Sequence, residues 1–167
     1  MDLKKLIKAL NLKPHPSEGG YYLETYRSDE NISGKYLPRR YKGKRCISTA
    51  IYYLLTPSTF SEMHSLISDE IFHFYLGDPV EMLNLYPDGS GKIITIGNNI
   101  EKAMRPQVIV KKGVWQGARL VSGGKFAIMG TTVAPGFEFK DYKSGDRKTL
   151  IKIYPKYKKF IIALTKE

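Results

Sequence analysis

Cysteine is almost absent: Cys46 is the only one in 167 residues. A lone thiol cannot close an intramolecular disulfide, and it excludes the cysteine-rich zinc modules. No apolar run approaches the ~18 residues that a membrane-spanning helix needs. The opening residues, Met1-Asp2-Leu3-Lys4-Lys5, include an acid and interrupt the apolar pattern of a secretory leader. These absences give the expectation of a cytoplasmic protein with no membrane partner. Basic residues are also missing from a long central stretch. Between Cys46 and Gly91 there is no Lys or Arg, whereas Glu62, Asp69, Glu70, Asp78, Glu81 and Asp88 all fall there. The 27 Lys and Arg residues therefore lie in the flanks, with clusters at 35–45 and 140–159. A net charge of +11 suggests nucleic acid, but the pattern argues against it. A nucleic-acid surface interleaves basic and aromatic residues on one face. Here the basic residues fall in expected loops and strand edges, where lysine discourages strand-to-strand association.

What is present reads mostly as strands. Hydrophobic residues make up 42% and charged residues 26%, an ordinary mix for one globular domain covering 1–167. Helical spacing occurs once, where Leu3, Leu6, Ile7 and Leu10 fall at i, i+3, i+4 and i+7 before Pro14 and Pro16. Runs rich in β-branched and aromatic residues then recur at 21–26, 46–55, 70–76, 80–86, 92–96, 107–110, 117–121, 125–133, 150–154 and 160–164. Pro87-Asp88-Gly89-Ser90-Gly91 and Gly123-Gly124 supply turns between them. Ten or so short strands predict an all-β sandwich or barrel with a short N-terminal helix.

The chemistry-bearing segment is 60–78. It holds His64 and His73 beside Glu62, Asp69, Glu70 and Asp78. Imidazole and carboxylate at short spacing can grip a divalent first-row metal. Equally, one histidine can be a turn residue and the other a packed strand residue, because a metal site usually needs three or more protein ligands. Strand alternation sends Glu70, Phe72 and Phe74 one way and Ile71, His73 and Tyr75 the other. His73 is therefore expected at a cavity rim. A turn at 67–69 would return the chain antiparallel to the strand holding His64. His64 and Glu70 would then be cross-strand neighbours, ~4.5–5.5 Å apart at Cβ and facing one cavity.

The spacing resembles the first motif of the cupin superfamily, G-x5-H-x-H-x3,4-E-x6-G. His64 matches the first His, Leu66 stands at the second, and Glu70 and Gly77 follow at the motif distances. In the second motif Gly113 matches and Gln116 stands where a third His ligand falls. A resemblance to the Cupin_5 group runs nearly end to end. It includes Leu12-Lys13-Pro14-His15-Pro16, Glu18-Gly19-Gly20-Tyr21-Tyr22, Glu24-Thr25-Tyr26-Arg27-Ser28, and Thr49-Ala50-Ile51-Tyr52-Tyr53-Leu54-Leu55. It continues through Gly113-Val114-Trp115-Gln116-Gly117-Ala118-Arg119-Leu120 and Thr132-Val133-Ala134-Pro135-Gly136. This resemblance implies a double-stranded β-helix, the cupin jelly roll, and a homodimer. The segment Gly20–Arg27 is also similar to the first strand of dTDP-4-dehydrorhamnose 3,5-epimerases, in which a core-strand His is the base.

These resemblances frame three alternatives. The first is a pocket for a small, anionic or carbohydrate-like ligand, with isomerase or epimerase chemistry. In it His64 is the base, Glu70 and His73 assist, and Tyr22, Glu24, Arg27, Phe72, Gln116 and Arg119 contact the ligand. Arg27 and Arg119 are the candidate anion clamps, since guanidinium grips anions in two places. The second is a metal-dependent enzyme with one divalent ion on His64, Glu70 and Gln116. The third is a non-catalytic ligand-binding protein. His15, between two prolines, is expected to be a structural loop residue.

Overall fold

Asp2 opens the first helix, α1 (Leu3–Ala9), by accepting the N–H of Lys4 at 2.9 Å. The computed structural model describes residues 2–166. The strands follow as β1 (Lys13–Pro14), β2 (Tyr21–Arg27), β3 (Asn31–Ile32), β4 (Arg45–Cys46), β5 (Thr49–Leu55) and β6 (Phe60–Ser65). Next come β7 (Asp69–Gly77), β8 (Val80–Leu85), β9 (Gly91–Ile96), β10 (Gln107–Val110), β11 (Trp115–Leu120), β12 (Ala127–Ala134) and β13 (Lys143–Ser144). Two helices close the chain, α2 (Arg147–Ile153) and α3 (Lys158–Ala163).

Two antiparallel sheets face each other as a sandwich. One runs β1-β2-β5-β12-β7-β10 and the other β13-β6-β11-β8-β9. Alternation along each strand sends one set of side chains between the sheets. Tyr53, Leu55, Phe72, Met82, Val108, Ala118 and Met129 meet there as the main core. Helices cover the outer face of the second sheet and part of that of the first. Leu6 and Leu12 pack on Leu54 and Ile128 of the first sheet. Leu150, Tyr154, Ile161 and Leu164 pack on Met63, Leu83 and Leu85 of the second.

Two sequence expectations are corrected here. The runs at 150–154 and 160–164 are helical, not strands. Asp146 caps α2 by accepting the Thr149 N–H at 2.8 Å, and Leu150 and Tyr154, one turn apart, reach the same hydrophobic cluster. The isoleucines that suggested a strand follow from this packing, which overrides their mild β preference. Second, β6 and β7 are not a hairpin. They lie in different sheets, so the 66–68 turn carries the chain across the sandwich. His64 and Glu70 therefore face each other from opposite sheets.

Candidate active site

A cavity of about 230 Å³ opens between the sheets. Its floor is made by three strands. Gln116 on β11 is the direct antiparallel partner of His64 on β6. Glu70 reaches in from β7 of the opposite sheet. Gln116 is buried, and its Nε2 donates to Glu70 Oε2 at 2.6 Å and to His64 Nε2 at 3.2 Å. The His64 Nδ1–H donates to the Glu62 carbonyl at 2.7 Å. One amide thus ties the two sheets together, while His64 Nε2 and Glu70 Oε2 remain 4.0 Å apart. Glu70 Oε1 receives no hydrogen bond among the described residues.

Opposing influences act on His64. Burial penalises its cation, but Glu18, Glu70 and the Glu62 carbonyl outweigh that penalty and raise its pKa to about 9. The amide pulls the other way. An N–H donated to Nε2 needs the lone pair that only a neutral ring offers. Gln116 Oε1, moreover, is buried without a partner. Charging the ring therefore requires the amide to move.

Glycine delivers a second carboxylate. Gly19 and Gly20 have φ of +98° and +68°, and a Cβ on Gly20 would lie 2.7 Å from the Leu54 carbonyl oxygen. The segment therefore lies flat on the sandwich. It places the Glu18 carbonyl to accept the Glu62 N–H at 2.8 Å, and the Glu18 carboxylate to accept the Ser61 hydroxyl. His15 joins Glu18 at the cavity. Its Nδ1 accepts the Glu18 N–H at 2.8 Å, which leaves the proton on Nε2, 3.9 Å from Glu18 Oε2. Burial lowers the His15 pKa, against the pull of Glu18. Its ring meets Tyr22 edge-on, with centroids 4.7 Å apart.

The roof comes from residues 137–142. Tyr142 stacks on His64 with centroids 4.9 Å apart and planes 19° apart. Its hydroxyl is buried and has no partner. Burial, then Glu18, Glu62 and Glu70, push its pKa up, so the phenol keeps its proton. An ion cluster built on a buried arginine holds this roof. Arg45, 1% exposed, meets Asp141 at 2.6 Å and Glu138 at 2.8 Å, and Lys140 meets Glu138 at 2.6 Å.

The structure brings His64, Glu70, Tyr22, Glu24 and Arg27 to this cavity, with Gln116 at its floor. Three other expected residues lie elsewhere. His73 points to the outer face of the first sheet, beside Gln107, Thr132 and Tyr75. Phe72 is a core residue, 1% exposed. Arg119 is on the far face of β11, where it pairs with Glu81 at 3.2 Å and covers Phe160. Alternation explains His73 and Arg119, whose strand positions point away from the cavity, whereas Phe72 shares the inward face with Glu70 and is packed into the core beside the cavity. Arg27 does line the cavity, but Glu24 holds its guanidinium through two bonds of 2.9 and 2.7 Å. No free anion clamp remains among the expected residues. Sequence reasoning missed Glu18 and Tyr142 and gave His15 only a structural role. The Gly-Gly pair after Glu18 was a readable signal, whereas nothing local marks Tyr142.

The expected metal set does not fit. His64 and Glu70 are sound donors, but Gln116 turns an N–H, not its oxygen, toward both. Leu66 contributes no ligand. Among the described residues no three His, Cys, Asp or Glu side chains converge as a metal site.

The family model described as Cupin superfamily (DUF985) matches residues 4–144. An uncharacterised protein of Saccharomyces cerevisiae is 32% identical over 149 residues, covering 84% of this chain and 73% of that protein. A hypothetical protein from Leishmania major superposes with a TM-score of 0.89 at 27% identity, over all of both chains. A protein from Shewanella oneidensis gives 0.86 at 29% identity, over 99% of this chain and 98% of its own. Oxalate decarboxylase from Bacillus subtilis, whose Mn(II) centres have been studied, shares the fold alone. Its TM-score is 0.53 at 13% identity, over 92% of this chain and 37% of that one.

Proposed function

Because the chain belongs to the Cupin_5 family, we propose that its barrel is an isomerase-type site that moves a proton on a small, hydroxyl-bearing carbonyl compound without a metal. One observation carries this reading. A carboxylate oxygen with no donor, Glu70 Oε1, and a phenol with no acceptor, Tyr142, line one cavity around the His64–Gln116 pair. Glu70 takes a proton from carbon next to the carbonyl. Gln116 steadies the other carboxylate oxygen, and His64 fixes Gln116. Tyr142 hydrogen-bonds the carbonyl oxygen as charge develops there, and its proton balances the enolate. Delivery of that proton by Glu70 to the former carbonyl carbon, while the proton of the neighbouring hydroxyl is passed to the former carbonyl oxygen through Tyr142, completes an isomerisation with no net redox change.

This assignment departs from His64 as base, because both its ring nitrogens are already engaged. It also departs from an anionic ligand, because Arg27 is bound by Glu24 and Arg119 lies outside the cavity.

The test is deuterium uptake in D₂O, read by proton NMR on a panel of aldoses, ketoses and amino sugars. Wild-type protein should exchange the carbon-bound proton beside the carbonyl of at least one compound. Glu70→Gln and Tyr142→Phe should each slow it by about 10²-fold or more. Undiminished exchange in Glu70→Gln would overturn the reading.

A further inference from the structure

The chain carries a net charge of +11, yet its cavity is acidic. Glu18, Glu24, Glu70 and Glu138 line it against one guanidinium, that of Arg27. Two of these carboxylates are neutralised, Glu24 by Arg27 and Glu138 by Arg45 and Lys140. Glu18 and Glu70 have no lysine or arginine partner among the described residues and share a single nearby cation, the His64 ring whose pKa they raise to about 9, so the two carboxylates exceed it by one charge. Their hydrogen-bond donors are neutral, the Ser61 hydroxyl for Glu18 and the Gln116 amide for Glu70. The imidazoles of His15 and His64 stay 3.9 and 4.0 Å away.

The Glu18 end of the cavity is walled by rings. His15 meets Tyr22 at 4.7 Å and Phe139 at 6.1 Å, and Phe139 meets Phe137 at 5.3 Å. A carboxylate among ring faces recognises a substituted ammonium, because each face presents negative charge and an apolar contact. The same cavity holds a separate sign that a ligand is expected, the partnerless Tyr142 hydroxyl.

We infer that the Glu18 end of the cavity, walled by His15, Tyr22, Phe137 and Phe139, is a subsite for an organic ammonium group on the ligand. This rests on the proton-transfer reading for the ligand's other end and deepens it. The substrate class becomes an amino-substituted carbonyl compound, its nitrogen at Glu18 and its reacting carbon at Glu70. The arrangement is chemically consistent, since an ammonium near the reacting carbon makes its proton easier to remove.

The experiment uses three probes of one shape and different charge: tetramethylammonium, tert-butanol and pivalate. Binding to the full-length protein is followed by ligand-observed NMR. Tetramethylammonium should bind at least about tenfold tighter than tert-butanol, and pivalate should not compete with it. Glu18→Gln, which keeps a polar group for Ser61, should weaken tetramethylammonium at least about tenfold and leave tert-butanol unchanged. Phe139→Leu, at a half-exposed position, should also weaken it, so the result does not depend on one variant folding. Pivalate or tert-butanol binding in preference to tetramethylammonium overturns the ammonium subsite while leaving a ligand cavity in place. If none of the three binds, the ammonium subsite is overturned; the proton-transfer reading is still judged by deuterium uptake in Glu70→Gln.

Discussion

At the His64 ring, carboxylates and an amide compete for one nitrogen. The field of Glu18 and Glu70 favours a proton on Nε2, while Gln116 donates into the same lone pair. Replacing the amide should release the field. The carboxylates raise the His64 pKa to about 9 in the wild-type protein, and in Gln116→Leu it should rise further. Nitrogen-15 NMR of the ring reads both, and identical titrations would show that the amide plays no part. The sign for stability follows from the raised value. The stabilisation that the charged ring contributes is complete below the unfolded value of about 6.5. It is lost as pH rises through about 9. Arg45 is a residue-scale test of the roof. It is 1% exposed and meets two carboxylates, so Arg45→Ala should cost about 3–5 kcal/mol in chemical denaturation by stranding buried charge. A loss below about 1 kcal/mol would mean that water already reaches the cluster.

Among the elements, the C-terminal helices are where local preference and tertiary packing part company. α2 has three β-friendly residues in seven, Thr149, Ile151 and Ile153, yet it is helical. Asp146 satisfies its first turn, and Leu150 is 1% exposed against the second sheet. Leu150→Ala should therefore cost about 2–5 kcal/mol, whereas Ile153→Ala, at a position 51% exposed, should change stability by about 0.5 kcal/mol or less. Urea unfolding distinguishes them, and equal losses would contradict the helical packing. The connection between β6 and β7 makes the same point for the site. The order His64, turn, Glu70 suits a hairpin, but each strand finds longer partners elsewhere, β11 for β6 and β12 for β7. The two side chains still meet, across the sandwich instead of along a ladder.

For the whole molecule, the outer face of the first sheet is only partly covered. α1 shields Leu54 and Ile128, while Tyr26, Tyr75, Leu76 and Ile109 stay about half exposed. Apolar exposure of this kind on a sheet face suits association. The expected outcome is a twofold homodimer burying more than about 1,000 Å² in total. Sedimentation equilibrium at micromolar concentration should give twice the 19.0 kDa chain mass, and Tyr75→Lys should shift it toward monomer. A wild-type mass of one chain would refute it. Among the described residues no helix is long and apolar enough to cross a membrane.

The sequence by itself determined the strand-rich class and the N-terminal helix, through alternation, turn residues and helical spacing, patterns short in sequence; the jelly roll followed from the family resemblance. His64 and Glu70 do line one cavity, but across the sandwich and not through the hairpin that their spacing suggested. Tyr22, Glu24 and Arg27, named from the sequence, line the cavity because they share one strand face or its bulged end. What tertiary structure decided is the state of those groups. Whether Arg27 is free depends on Glu24, and whether His64 Nε2 is free depends on Gln116, 52 residues away. The neighbour of His64 that completes the site, Tyr142, arrives on a segment fixed by Arg45. Charge and hydrogen bonding act over a few ångströms of space regardless of chain distance, so such pairings come into view only once the fold has brought the chain segments together.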